Sequence, residues 1–502
     1  MSRKVKVLIF ATLLFTGCEK SGDTGTEPDN SKVFEIKSGE ILNSDFRGNG
    51  AQWGGYDFIS VYTGSSSLSS TDWAKLRERV AFMRPGIVRI MVSEGWNYNN
   101  GVYDKSNNIL VPILEFCQQN NIDVVFGEWG HKTGSTLDKE WLEKSMEFLE
   151  WLIVTKNLSC IKYFIMTNEP NGSWSTVAGN YTLWKSLVTE LYVSLQQHGL
   201  LNKVEIMGPD LAYWNLQSAQ QFLIWMTNTI SDFQTEVTSY DIHAYPGQSF
   251  VRSGSFAQTL DIYKAPIRGG RDIFVTELGG KYPDEPDLKD LNQQRINTIP
   301  FTDSDSNTFI YDAFYGIDMA DAVMQIMASG YASAILWDMD DAMYCSYNSY
   351  GAPGALKRWG FWNSIGDEMG ISGDEEIRPW FYTISLLCRY FPKNSVIYNV
   401  TSPDKRIRAV ACEKGGKFTV AFINSSYTKV SGLKVRADKF YNCNGFKLYQ
   451  YKASINGKDF TGNRDAKGLP LPALTESQAD ISGGYDLPEM EGLSFTLITT
   501  ME

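Results

Sequence analysis

A chain of 502 residues with 43% hydrophobic and 13% aromatic content can bury a large core, and its length suggests two domains or one barrel with an accessory module. A formal charge of −12 argues against nucleic acid or anionic lipid as the main partner and leaves a neutral polysaccharide open. The three histidines, His131, His198 and His243, show no metal-ligand spacing, so no metal and no cofactor is expected.

The chain opens on targeting signals. Arg3, Lys4 and Lys6 precede an apolar run from Val7 to Phe15, too short to span a bilayer as a helix. Leu14-Phe15-Thr16-Gly17-Cys18 resembles a bacterial lipobox, which implies cleavage before Cys18 and lipidation of that cysteine; a plain secretory leader is the alternative. The polar stretch after it reads as a flexible tether. Residues 1–17 are therefore expected to be a lipoprotein signal peptide and 18–34 the tether. The expected location is the bacterial cell envelope, lipid-anchored at the outer membrane or cell surface.

Past the tether, strands and helices alternate. Residues 33–42 are a candidate strand for a C-terminal sheet. Residues 51–56 make a first barrel strand, and Thr71 is placed to cap a helix over 72–84 with Trp73, Leu76, Val80 and Met83 on one face. A second strand over 86–92 alternates β-branched residues around Arg89. A helix over 109–119, a third strand over 122–126 and a helix over 138–156 follow. The fourth strand, Ile161 to Ile165, runs on to Asn168-Glu169-Pro170-Asn171, where Pro170 stops the ladder. A helix over 181–197 is closed by His198 and Gly199. Then come a fifth strand over 204–207, a helix near 218–229, a sixth strand over 237–243 and a short helix near 256–263. The seventh strand, Asp272 to Glu277, again delivers one glutamate into a glycine turn. A helix over 310–329, an eighth strand over 332–337 and a helix over 379–390 complete the pattern.

Eight such repeats are the signature of an α/β (β/α)8 TIM barrel. An open doubly wound sheet is the alternative, but no Gly-rich phosphate loop follows the first strand. Two long loops, 279–307 and 338–377, leave the same end of the barrel, and loops of such length usually serve function. After Pro392, short strands at 396–400, 407–412, 417–423, 434–436, 446–451 and 493–498 read as a β-sandwich. The expected division is a barrel over 35–392 and a C-terminal sandwich over 393–502.

Glu169 and Glu277 thus lie at the carboxyl ends of two buried strands, the end where barrel active sites are built. The pair resembles the catalytic glutamates of the clan GH-A retaining glycoside hydrolases, over residues 50–390. In that clan Asn-Glu(-Pro) at the end of strand four carries the acid/base, and a glutamate ending strand seven is the nucleophile. The resemblance implies Glu169 as acid/base, Glu277 as nucleophile and Asn168 as partner of the sugar 2-hydroxyl. It further implies Arg89 near the nucleophile, His243 and Tyr245 beside it with Tyr245 donating to it, and Trp337 as floor of the sugar subsite. At family level, Asn168-Glu169-Pro170-Asn171 and Gly208-Pro209-Asp210 are similar to families 39 and 79. Leu278-Gly279-Gly280 departs from their usual Trp or Phe neighbours.

Trp129 is a further substrate-binding candidate, with Trp53, Trp96, Trp174 and Trp214 after it; core packing competes for all of them. Glu94 and Glu128 are lower-ranked carboxylates near strand ends. Asp303-Ser304-Asp305-Ser306-Asn307 resembles the start of a calcium loop, but Thr308 and Phe314 stand where glycine and glutamate are needed, which favours a helix cap before Ile310. The cysteines after Cys18 show no Cys-x-x-Cys pairs, so free core thiols are expected, a Cys412–Cys443 bridge being the alternative.

Splitting a glycosidic bond requires an acid for the leaving oxygen and a carboxylate for the oxocarbenium-like carbon. The expectation is a retaining β-glycoside hydrolase acting on a poly- or oligosaccharide by double displacement. A non-catalytic glycan-binding lipoprotein and a transglycosylase on the same site are its rivals. Glycan, linkage and oligomeric state stay open.

Overall fold

The computed structural model describes residues 32–502 apart from 57–58, 65–66, 105–108, 131–135, 213–215, 348–352, 440–443, 455–458 and 479–480. The leader, Cys18, His131, Trp214 and Cys443 lie outside the described residues. No described helix is long and apolar enough to cross a membrane.

Eight strands make one parallel sheet: β1 (Gly50–Ala51), β2 (Ile87–Val92), β3 (Asp123–Glu128), β4 (Ile161–Ile165), β5 (Glu205–Met207), β6 (Val237–Ala244), β7 (Ile273–Leu278) and β8 (Ser333–Leu336). Its order runs from β1 through β8 and down to β2, and a parallel bridge between Gln52 and Arg89 joins the two ends. The barrel is closed. The helices packed outside it are α1 (Ser70–Met83), α2 (Leu110–Gln119), α3 (Lys139–Glu150), α4 (Tyr181–Gln197), α5 (Leu216–Asp232), α6 (Ser255–Lys264), α7 (Ala313–Ala328) and α8 (Trp380–Tyr390).

Strand alternation divides the side chains between two cores. Ile87, Val125, Tyr163, Ile165, Met207, Phe274 and Ile335 fill the barrel interior. Val88, Ile90, Val124, Phe126, Phe164 and Val275 face the helices. Several ends differ from expectation: the helix expected over 138–156 gives way after Glu150 to a π turn at Trp151–Thr155. Ser69, not Thr71, caps α1, its hydroxyl accepting from the Asp72 N–H at 3.2 Å. Strand β1 is only two residues long, although residues 52–56 stay buried. The helix expected from residue 310 begins at Ala313, because Asp312 is extended and its preceding turn, Thr308–Tyr311, is a separate 3-10 turn. Asn307 caps that turn, its side chain accepting from the Phe309 N–H at 3.0 Å, so the calcium-like stretch serves as a cap.

The C-terminal strands build a ten-stranded mixed sheet that also takes the N-terminal strand Val33–Phe46. That strand runs antiparallel to Ser395–Thr401 and parallel to Lys434–Ala437. Phe34 and Phe422 sit three strands apart, about 14 Å across a flat sheet, yet their rings are 4.9 Å apart. The sheet therefore folds over on a core of its own, giving the two layers of a sandwich. Its outer face, including Val410, Ile423, Tyr449 and Leu497, joins the barrel core. Tyr449 and Tyr390 of α8 share a 2.7 Å hydroxyl hydrogen bond, and Arg408 pairs with the buried Asp321 of α7. Cys117, Cys160, Cys388 and Cys412 are buried free thiols.

Candidate active site

The mouth of the barrel is organised by backbone irregularities that alternation alone does not supply. On β7, Val275 faces Ile242 and Glu277 faces His243 of β6, so Thr276 is an extra residue. The same slip appears against β8, where Val275 pairs with Ala334 and Leu278 with Leu336. A bulge of this kind re-aims the side chains that follow it. It turns Glu277 into the mouth instead of outward with Val275. Past β4, Glu169 has a left-handed backbone (φ 47°), and so does Asp210 past β5 (φ 54°). Non-glycine residues rarely adopt this conformation, and it clusters at functional sites.

These devices converge on one network. Arg89, fully buried, donates to Gln52 (2.7 Å), Glu277 Oε2 (2.9 Å), Asn168 Oδ1 (2.8 Å) and Asp210 Oδ2 (3.0 Å). The Tyr245 hydroxyl donates to Glu277 Oε1. His243 lies between two carboxylates, with Nε2 2.8 Å from Asp210 Oδ1 and Nδ1 3.0 Å from Glu169 Oε1. Trp174 donates its indole N–H to Glu169 Oε2 at 2.6 Å, and the Glu169 N–H donates to Asp210 Oδ2 at 3.2 Å. One oxygen of Glu169, one of Glu277 and a ring nitrogen of His243 all lie within 4.8 Å of one another. Such a trio could ligate a cation. Here Arg89 and Tyr245 occupy both oxygens of Glu277, and both ring nitrogens of His243 face carboxylates, so the donors are committed to hydrogen bonds.

Protonation follows from the same contacts. Burial disfavours a charged imidazole, but the Asp210 and Glu277 charges outweigh it and raise His243 well above its ordinary value. Burial likewise opposes ionisation of Glu169, yet the hydrogen bond and charge of His243 hold its carboxyl below the usual range. Asp210 is held down against burial by Arg89 and His243. Burial and the neighbouring Asp210 push Asp241 far up, so it stays neutral, accepting from Thr276 Oγ1 (2.9 Å) and from the Asp210 N–H (2.7 Å).

Above the network opens a cleft of about 440 Å³. Trp129, Asn168, Trp174, Tyr245, Trp337 and Trp359 line it around Glu169 and Glu277. Trp337 stacks on Tyr344 (centroids 5.1 Å apart, planes 9° apart) and meets Trp129 edge-on at 6.2 Å. All eight residues singled out for the site therefore meet at this mouth: Glu169, Glu277, Asn168, Arg89, His243, Tyr245, Trp337 and Trp129. Trp174 joins them from the weaker candidates. Trp53 is buried in the core and Trp96 does not line the cleft. Glu94 pairs with Lys144 at 3.5 Å. Glu128 is buried against the Tyr98 hydroxyl (2.6 Å) and Ser145 (2.9 Å), and burial pushes it up to about 8. Sequence reasoning missed the role of Asp210, although a Pro-Asp turn at the end of β5 repeats the logic of the turn after β4. It also missed Gln52, Lys281, Asp305, Lys357 and Trp359.

A closed parallel barrel with a C-terminal sandwich is a fold this chain shares with solved glycoside hydrolases. No family model matches the sequence, and no curated protein matches it. Solved structures with this fold include a GH30 endoxylanase from Clostridium papyrosolvens C71 (TM-score 0.55, 14% identity, 93% of this chain and 99% of that one). A GH39 β-xylosidase from Caulobacter crescentus is similar at TM-score 0.58 and 12% identity, over 93% and 99% of the two chains. An α-L-arabinofuranosidase from Thermotoga maritima gives 0.58 and 10%, again over 93% and 99%.

Proposed function

We propose that this protein is a retaining β-glycoside hydrolase in which Glu277 is the nucleophile and Glu169 the acid/base. The observation that carries this is the approach of the two carboxylates to within 4.8 Å at the barrel mouth. Retaining enzymes hold theirs about 5–5.5 Å apart, whereas inverting ones need roughly 6.5–9.5 Å to admit a water.

The environments of the two carboxylates support this division of roles. Arg89 and Tyr245 each donate to one oxygen of Glu277, which fixes its side chain in the mouth, aimed for attack. Glu169 shares a hydrogen bond with a cationic imidazole at 3.0 Å. Moving one proton from His243 Nδ1 to Glu169 Oε1 leaves a neutral acid and an imidazole whose Nε2–H still donates to Asp210. The proton for the leaving oxygen is held in that bond. Glu277 attacks the anomeric carbon as Glu169 protonates the departing oxygen. Glu169, then a carboxylate, takes a proton from water, which attacks the same carbon and releases Glu277. Asn168 gives its Oδ1 to Arg89, so its amide N–H2 is the group left to meet a 2-hydroxyl. Trp337 floors the subsite. The basic leader, apolar run and Cys18 motif support a lipid-anchored enzyme at the cell envelope.

The test is hydrolysis of a panel of aryl β-glycosides and polysaccharides by the wild type, Glu169→Ala and Glu277→Gly, with and without azide. Turnover by the wild type and its loss in both variants are expected. Azide should rescue Glu169→Ala as a β-azide and Glu277→Gly as an α-azide. Unchanged hydrolysis in Glu277→Gly, or no hydrolysis by any form, would overturn the proposal.

A further inference from the structure

Away from the two glutamates the cleft changes sign. Lys281, four residues past Glu277 on the β7 loop, and Lys357, on the β8 loop, both line it. They converge on one carboxylate: Lys281 lies 3.2 Å from Asp305 Oδ1 and Lys357 3.4 Å from Asp305 Oδ2. The indole N–H of Trp359 donates to the Asp305 carbonyl, which ties that loop to the β8 loop. The Lys281 ammonium also stands 4.7 Å from the Tyr245 ring and 5.8 Å from the Trp359 ring.

We infer that this end of the cleft is a subsite for an oxyanion, a uronate carboxylate or a sulfate ester, carried by the glycone or by the sugar attached to it. The inference rests on the hydrolase reading, because an attacking Glu277 makes the β7–β8 side the glycone side. Two cations share one anion there, in a chain whose overall charge is −12. An exposed ion pair in open solvent contributes little. Here aromatic rings displace water on one side, and a less polar surrounding strengthens each charge. Lys357 is 41% exposed, and of its three N–H donors Asp305 engages one. Lys281, Asp305 and Trp359 also border an adjoining cavity of about 300 Å³. A glycan leaving the catalytic cleft on this side passes directly over the lysines. Trp174, at the opposite end beside Glu169, brings an aromatic face and no charge, so selectivity for charge resides in the glycone.

The experiment compares matched substrates: uronate-containing glycans against their carboxyl-reduced forms, and sulfated glycans against their desulfated forms. The wild type should prefer the charged member of one pair, and which pair separates carboxylate from sulfate. That preference, the ratio of kcat/KM values, should fall about tenfold in Lys281→Gln/Lys357→Gln and should weaken in raised salt. Unchanged thermal unfolding verifies that the variant folds. Calorimetric binding of the same pairs to Glu277→Gln reads the preference without turnover. Hydrolysis without preference for any charged member, or equal binding of charged and neutral forms, overturns the subsite and leaves the hydrolase standing. Charge-selective binding with no turnover by the wild type keeps the subsite and overturns the hydrolase. Neither binding nor turnover of any charged member overturns both.

Discussion

Two buried ionic clusters sit at the same end of the barrel, and they differ in how their charges balance. At the mouth, two cations, Arg89 and His243, face three carboxylates, Asp210, Glu169 and Glu277. Under the β8 loop, Arg358 and Arg378 face Asp341 and Asp374 at 2.6–3.5 Å. This second cluster sets two cations against two carboxylates. Asp341 Oδ1 takes the N–H groups of Trp359 (2.9 Å) and Gly360 (2.7 Å), while Asp374 takes Tyr311 (2.9 Å) and Asn363 (2.8 Å). Its work is architectural, fixing the Trp359 wall of the cleft. The mouth cluster carries a surplus carboxylate, and its two glutamates line the open space. A balanced buried network holds shape; an unbalanced one at an opening is equipped for chemistry.

The sharpest separation comes from Glu277→Gln, which should cut kcat by about a thousandfold or more while leaving the unfolding midpoint near that of the wild type. Arg378→Met should do the reverse. It leaves two buried carboxylates to one guanidinium and should cost about 3–5 kcal/mol in denaturant titration, with turnover per folded molecule reduced far less than by Glu277→Gln. Loss of turnover in Arg378→Met at native stability would dissolve the contrast. Asp210→Asn probes the proton held at the mouth. The Asp210 charge raises His243, so its removal lets that proton leave at lower pH. The alkaline limb of the kcat/KM profile should therefore move toward acid; an unmoved limb contradicts the role given to His243. The smallest effect belongs to Trp174→Phe, which removes one hydrogen bond to Glu169 and should cost about 1 kcal/mol in kcat/KM, read with an aryl glycoside.

The comparison also marks what the sequence could reveal. The end of helix α4 was legible because Gly199 follows it, and that glycine takes a positive φ; its start is fixed by Asn180, which accepts from the Leu183 N–H at 3.1 Å. Glu169 and Glu277 were legible because each ends an apolar run at a turn. The aim of Glu277 was not, since strict alternation points it outward with Val275 and only the extra residue on β7 turns it in. Asp210 lacks a long apolar strand before it, β5 being three residues long. Lys281, Asp305, Lys357 and Trp359 come from irregular stretches of two long loops, the first of which also carries a helix at Pro286–Ile296, and nothing in local patterning brings such segments together. The sandwich was read from its alternating strands, and Val33–Phe46 joined it as expected.

The central claim, that two carboxylates this close act by double displacement, is tested most directly by the anomer released first. Proton NMR of a cleaved β-glycoside, recorded before mutarotation, should show the β-anomer of the product rising ahead of the α-anomer. An α-anomer appearing first would mean inversion at the anomeric carbon, and Glu277 could not then be the nucleophile.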